Sequence, residues 1–221
     1  MSFTLVFADN ALLVLDKPSG LLSVPGKGSD NQDCLSHRVQ AQFSDALVVH
    51  RLDMATSGLM VMARGLASQR RLNDAFASRE VLKHYRAVVS GIAIPPQEPW
   101  SVIDLPISLD WPQRPLRHID AATGKPSQTE WQIDKDAQAL DGIAFDCSKP
   151  FSRVLLRPVT GRSHQLRVHL AAIGHPILGD TLYAPIEVQT RSTRLLLHAS
   201  HLSLAHPATG QTMQFDSPSS F

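Results

Sequence analysis

The stretch HRLDMATSGLMVMAR, His50 to Arg64, sets a single carboxylate between a cation and a tight polar turn. Asp53 follows the apolar run LVV and precedes Thr56, Ser57 and Gly58. An acid in such a place is commonly a turn cap or half of a surface ion pair, because Asp favours turns. Three features favour chemistry instead. The apolar run shields the position from water, Arg51 stands two residues ahead of it, and the Thr56–Ser57–Gly58 turn lets another backbone or a ligand come close. A partly buried Asp beside an Arg stays ionised. Ionised and oriented, it can act as a nucleophile or as a base.

Cations recur along the chain in a way the net charge of +1 hides. Between Phe151 and Gly179 stand Arg153, Arg157, Arg162 and Arg167 without one carboxylate, and from Arg64 to Arg86 stand Arg70, Arg71, Arg79 and Lys83 against Asp74 and Glu80. Such local excess builds either an ordinary solvated face or a positive stripe suited to phosphates.

The elements that must position these groups are mostly short strands. ALLVLDKP, LVVHRLD, GLMVMAR, HYRAVVSGI, SRVLLRPVTG, RLLLHASHLSL and QTMQFD are apolar or alternating runs bounded by Gly, Pro, Asp or Ser. Two helices are predicted. One lies in LASQRRLNDAFASR, with Leu72 and Phe76 at i, i+4. The other lies in SHQLRVHLAAIG, with Ser163 as N-cap, Leu166, Leu170 and Ile173 on one face, and Gly174 as the stop. The order does not alternate strand and helix, so an α+β fold with a mixed, mainly antiparallel central sheet and flanking helices is expected over a doubly wound one. Two stretches read as long loops, DKPSGLLSVPGKGSDNQD and DLPISLDWPQRPLRHIDAATGKPSQTEW. Loops of that length in a compact domain are more often functional than decorative. Residues 1–221 read as one catalytic domain. AQALDGIAFDCSKPF is poorly patterned and suggests no role.

HRLDMATSGLMVMAR resembles the catalytic motif of the RluA family of RNA pseudouridine synthases, in which the aspartate of HRLD is the catalytic group. LLVLDKPSGLLSVPG is similar to that family's N-terminal strand and loop, KHYRAVVSG to its tyrosine-bearing segment, PVTGRSHQLRVHLAAIGHPILGDTLY to its late motif, and LLLHASHLSLAHP to its closing strand. The resemblances run in the family's order over most of the chain. LPISLDWPQRP and TGKPSQTEW are similar to a subtype that modifies both a transfer-RNA anticodon stem-loop and large-subunit ribosomal RNA. Many family members carry an N-terminal S4 RNA-binding domain; this chain starts close to the catalytic core, and none is expected.

The resemblance implies breaking the C1′–N1 bond of uridine, turning the uracil and rejoining it through C5, with no metal, redox cofactor or energy donor. Asp53 is then the essential group, attacking C1′, adding to the ring or removing a sugar proton through a glycal-like intermediate; the residues leave all three open. By the same resemblance Arg167 is the cation paired with Asp53, and Tyr85 stacks on the target uracil and is available for proton transfer. Leu166 packs against the pocket. Arg51 enters the RNA stack where the uridine left it or contacts phosphate. His50, Thr56 and Arg162 complete the substrate-binding set. Read without the resemblance, Tyr85 is equally a strand-core aromatic and Leu166 a helix-core leucine.

Other functions are disfavoured on chemical grounds. Among ten histidines, His164 and His169 are spaced i, i+5, which does not align them on one helical face, and HExxH or repeated zinc spacing is absent. A retaining glycoside hydrolase needs two carboxylates across the bond, and no partner acid is evident beside Asp53. A catalytically silent RNA-binding module would use the same cations but have no need of Asp53. No apolar run approaches the roughly 18 residues of a membrane span, and MSFTLVFADN lacks a secretory n-region. Cys34 and Cys147 suggest no disulfide framework. The expected setting is cytoplasmic, the partner RNA rather than DNA or membrane, and the state a monomer.

Overall fold

The computed structural model describes residues 3–96, 99–135 and 145–221. In chain order the elements are β1 (Thr4–Ala8), β2 (Leu12–Lys17), α1 (Leu35–Gln40), β3 (Ala46–Val48), β4 (Ser57–Arg64), α2 (Gly65–Ala77), β5 (Leu82–Ser90) and β6 (Ser101–Asp104). There follow β7 (Ile107–Leu109), β8 (Arg117–Ile119), β9 (Gln128–Ile133), β10 (Phe151–Pro158), α3 (Gln165–Ala172), α4 (Ile186–Gln189), β11 (Leu197–Ala205) and β12 (Thr212–Asp216). The chain divides into two compact units, Met1–Lys83 with His198–Pro218, and His84–Leu197 with Ser219–Phe221. Among the described residues, the strand pairs within each unit are antiparallel except β4 with β11. The expected α+β class with a mainly antiparallel sheet is the one found. No helix among the described residues is long and apolar enough to cross a membrane.

The first unit is built around β4. Its continuous apolar run is buried on both faces, which explains why it lacks the alternation of a half-exposed strand. Leu59, Val61 and Ala63 join Leu12, Val14, Leu72, Leu202 and Leu204 in one core under α2, while Met60 and Met62 fill the opposite face. One edge of β4 is covered by β2 from Gly58 to Ala63. The other edge is shared: β11 pairs with Ser57 and Gly58 in parallel, and β3 pairs with Met62 to Arg64 antiparallel.

That shared edge corrects the strand predicted over LVVHRLD. It stops at Val48, because β11 already occupies the beginning of the β4 edge. Between the two partners the N–H of Val61 is taken by a side chain, Nε2 of His50, at 2.9 Å. The chain is thereby released from the sheet to make the turn that carries Asp53.

In the second unit β5, β10, β9 and β6 lie in that order. Strand alternation places Tyr85, Leu156, Trp131 and Ser101 on one face, in register with one another. Thr129 shares this face, and its hydroxyl meets Gln165 Nε2 at 3.0 Å and His169 Nδ1 at 2.9 Å, so α3 covers it. The expected loop between Asp104 and Trp131 instead contains the β7–β8 hairpin. Its strands have three residues each, too short to show periodicity. Ser163 does not cap α3; His164 occupies that position at φ 58. Of the unpatterned stretch, residues 137–144 lie outside the described residues, and the remainder is fixed by buried Arg191, which donates to the carbonyls of Asp146, Lys149 and Pro150.

Gly58 marks where the β4–β11 contact is closest. Its φ is 108°, and a Cβ there would lie 2.3 Å from the carbonyl oxygen of Ala199. Gly58→Ala is expected to lower unfolding stability by about 2–4 kcal/mol, combining backbone strain with overpacking, as read from the shift of a urea unfolding midpoint.

Candidate active site

The turn bearing Asp53 is irregular backbone, so its polar groups must find partners outside a ladder. Four consecutive carbonyls do so. Leu52 O accepts from Ser23 Oγ at 2.6 Å. Asp53 O accepts from Thr56 N at 3.1 Å. Met54 O accepts from Gly20 N at 2.8 Å and from Lys17 Nζ at 3.0 Å, and Ala55 O accepts from Ser19 Oγ at 2.7 Å. The Ser23 hydroxyl also accepts the N–H of Leu52, at 3.1 Å. The donors outside the turn all come from residues 17–23, so the Gly-, Pro- and Ser-rich loop predicted to be functional is the cradle of this turn.

Lys17 is fully buried. Besides Met54 O, its ammonium donates to Pro18 O at 2.9 Å and Leu21 O at 2.8 Å. Three carbonyl dipoles at these distances match the three protons of an ammonium group, which is what permits a full charge in this position. The sequence reading singled out none of Lys17, Ser19 and Ser23. Their signal was available in the juxtaposition DKPSGLLS, where a Lys directly follows an apolar strand.

The four sites expected around this turn occupy distinct environments. Arg51 is exposed, Asp53 half-buried and Thr56 buried. His50 retains some solvent surface, yet its ring stacks on Phe76 at 4.5 Å between centroids and 27° between planes. Nε2 must be unprotonated to accept from Val61. Burial first, and then the charge of Lys83, push its pKa down to about 3. Lys83, itself with a lowered pKa through burial, stands over the other participant of that stack, Phe76, at 5.7 Å. His50 therefore fixes the entry to the turn.

The remaining expected residues belong to the second unit. Tyr85 is half-buried on the sheet face that α3 covers. Leu166 is 7% exposed on α3, and Arg162, in the loop leading to α3, is exposed with its Nε 3.3 Å from Pro126 O. Arg167 is buried and makes a two-pronged ion pair with Asp180, Nε to Oδ2 at 2.8 Å and Nη2 to Oδ1 at 2.6 Å. Asp180 Oδ1 also accepts the N–H groups of Leu182 and Tyr183, and the guanidinium lies 5.1 Å from the Tyr183 ring centre. The Tyr183 hydroxyl meets His164 Nδ1 at 2.6 Å and accepts the N–H of Arg117 at 3.0 Å. Asp180 and Tyr183 were missed as site residues, although both stand in the LGDTLY stretch.

The positive stripe read between Phe151 and Gly179 is divided by the fold. Arg153 and Arg157 lie on the sheet face away from α3, where Arg157 pairs with Glu130 and stacks on Trp100 at 4.8 Å. Arg167 lies on the covered side. Alternation along β10 and the start of α3 imposes this split. At the hairpin tip, exposed Trp111 carries the Arg114 guanidinium 3.8 Å from its ring centre, a flat cationic surface of the kind that stacks on bases. No group of three or more His, Cys, Asp or Glu side chains among the described residues is arranged to hold a metal.

The buried His50 ring gives a signed pH dependence. The folded protein keeps it neutral down to about pH 3, whereas the unfolded chain protonates it below 6.5. Its stabilising contribution is therefore complete above pH 6.5 and is lost as pH falls through that window. His50→Gln, which keeps an acceptor, is expected to flatten the stability-versus-pH curve between pH 6 and 4 by up to about 1.4 kcal/mol per pH unit. Chemical denaturation of both proteins across that range measures it; parallel curves would contradict it.

Comparison with known proteins identifies the family. Residues 11–172 match the RNA pseudouridylate synthase family. The chain is 45% identical over 217 residues to the dual-specificity RNA pseudouridine synthase RluA of Escherichia coli (strain K12), covering 98% of this chain and 93% of that protein. It is 46% identical over 217 residues to the RluA of Yersinia pestis, covering 98% of each. Among solved structures, human RNA pseudouridylate synthase domain containing 1 superposes with a TM-score of 0.76 at 29% identity, over 98% of this chain and 83% of that one. With a cradled aspartate turn, a buried arginine pair and these likenesses together, the chain belongs to the RNA pseudouridylate synthase family.

Proposed function

We propose that the protein isomerises particular uridines of stem-loop RNA to pseudouridine, without a cofactor, through Asp53. The observation that carries this reading is the satisfaction of all four carbonyls from Leu52 to Ala55. It makes a half-buried carboxylate on irregular backbone a fixed feature, as an acid that must meet a sugar or a ring carbon requires. Arg167 is the cation paired with Asp53, and Tyr85 is the ring against which the uracil rests. Leu166 lines the pocket. Arg51 fills the gap in the RNA stack, Arg162 contacts phosphate, and His50 and Thr56 set the turn. Residues 1–221 act as one catalytic module, monomeric and cytoplasmic.

The substrates are a transfer-RNA anticodon stem-loop and large-subunit ribosomal RNA. The dual specificity in the name of the Escherichia coli and Yersinia pestis relatives supports two RNA classes. Energetics favour loops. Extruding a base costs a few kcal/mol, and least where it is not paired, while stacking on one aromatic returns about 1–3 kcal/mol. DNA carries thymine in place of uracil, and its C5 methyl occupies the carbon that must form the new glycosidic bond, so DNA is not a substrate.

Asp53→Asn is the decisive variant. Pseudouridine formation in a stem-loop RNA is expected to fall about a thousandfold or more. RNA affinity should stay within about threefold, since a carboxylate makes no phosphate contact. Carbodiimide mapping reads the product and filter binding the affinity. Undiminished turnover in the variant would refute the role of Asp53, and wild-type protein that binds RNA but modifies no uridine would favour a silent binding module.

A further inference from the structure

A second polar connection reaches the Asp53 turn, from the side opposite Lys17. Ser57, four residues after Asp53, begins β4 and is 4% exposed. Its Oγ lies 2.9 Å from Nδ1 of His198, its register partner on β11. Nε2 of His198 faces Ser217, 3.1 Å from Oγ and 3.2 Å from the carbonyl oxygen. The Ser217 hydroxyl in turn meets Oδ2 of Asp16, at the end of β2. His198 and Ser217 are 5% and 4% exposed.

Donor and acceptor roles along this chain follow from its last member. A carboxylate only accepts, so Ser217 donates its hydroxyl proton to Asp16. The Ser217 oxygens then receive Nε2–H of His198, which leaves Nδ1 as an acceptor, and Ser57 donates to it. The Ser217 carbonyl, which only accepts, and the hydroxyl oriented by Asp16 together set the tautomer of a buried imidazole and, through it, the rotamer of a serine at the exit of the turn. Asp16 and Lys17 are consecutive strand residues and point to opposite faces of the sheet. Lys17 holds Met54 O from one face; Asp16 holds Ser57 through two intermediaries on the other.

We propose that Asp16, Ser217 and His198 are positioning residues for the reaction at Asp53, acting as one unit that fixes Ser57 and so the far end of the turn. This rests on the function proposed above. Ordinary strand pairing does not demand it, because the backbones of β4 and β11 already meet at Gly58 and Ala199. A chain that only added stability would change melting temperature and leave turnover of the folded enzyme alone.

The test is a double-mutant cycle in kcat, on a stem-loop RNA that the wild type modifies, run well below every melting midpoint. Asp16→Ala and Ser57→Ala are each expected to lower kcat about tenfold, a sub-ångström misplacement having effects of that order, with KM changed less than about twofold. The double variant should be no worse than the poorer single one, because both cut the same chain. Ser217→Thr should retain kcat and Ser217→Ala should lose it, which tests the chain even if Asp16→Ala folds poorly. Multiplicative losses in the double variant, or reduced melting temperature with unchanged kcat, overturn the proposal while leaving the uridine chemistry standing. A wild type that modifies no RNA overturns both.

Discussion

A carboxylate that must act from irregular backbone imposes a hydrogen-bonding problem before any catalytic one. Regular structure satisfies carbonyls automatically, and a turn does not. From Leu52 to Ala55 every carbonyl has a donor, and those from outside the turn are supplied by Lys17, Ser19, Gly20 and Ser23. A buried unpaired carbonyl costs about 1–3 kcal/mol, so loss of this loop would make the turn one conformation among several. The rest of the first unit follows from that need. β3 ends early so the turn can leave the sheet, His50 closes the gap in the edge of β4, and Gly58 lets β11 press against the strand that the turn feeds.

The second unit solves a related problem with charge. α3 is buried although it contains Gln165, Arg167 and His169. Gln165 and His169 bond to β9 and its neighbours, including the Thr129 hydroxyl and the carbonyls of Gln128 and Leu105. Arg167 has Asp180 in a planar two-pronged pair, and Asp180 is itself fixed by two backbone N–H groups. A guanidinium so held keeps its orientation without relying on any bound molecule. Tyr183 extends the order outward, since its hydroxyl joins His164 at the start of α3 to the N–H of Arg117 on β8.

Much of this was legible in the amino-acid order, and what was not has a common physical cause. β2, β4, β10 and α2 announce themselves through apolar runs or helical spacing, and HRLDMATSGL identifies its own acid. The end of β3 could not be seen, because it depends on β11 arriving at the same strand edge from far along the chain. The partner of Ser57 is 141 residues away, and no local pattern specifies a contact at that range. Asp180 was in view inside a quoted motif, but its partnership with Arg167 is a fact of tertiary packing. The β7–β8 hairpin was hidden by brevity, and the apparent stripe of arginines was dissolved by strand alternation.

Amide hydrogen exchange of the native protein, read on the peptide covering Leu52–Gly58, addresses the cradled turn most directly. The Leu52 amide donates to Ser23 Oγ and the Thr56 amide to Asp53 O, so both sites should be protected by several kcal/mol, comparable with the β4 strand they adjoin. Exchange of those two amides at the rate of an open loop, while β4 stays protected, would contradict the claim that this turn presents Asp53 in a single conformation.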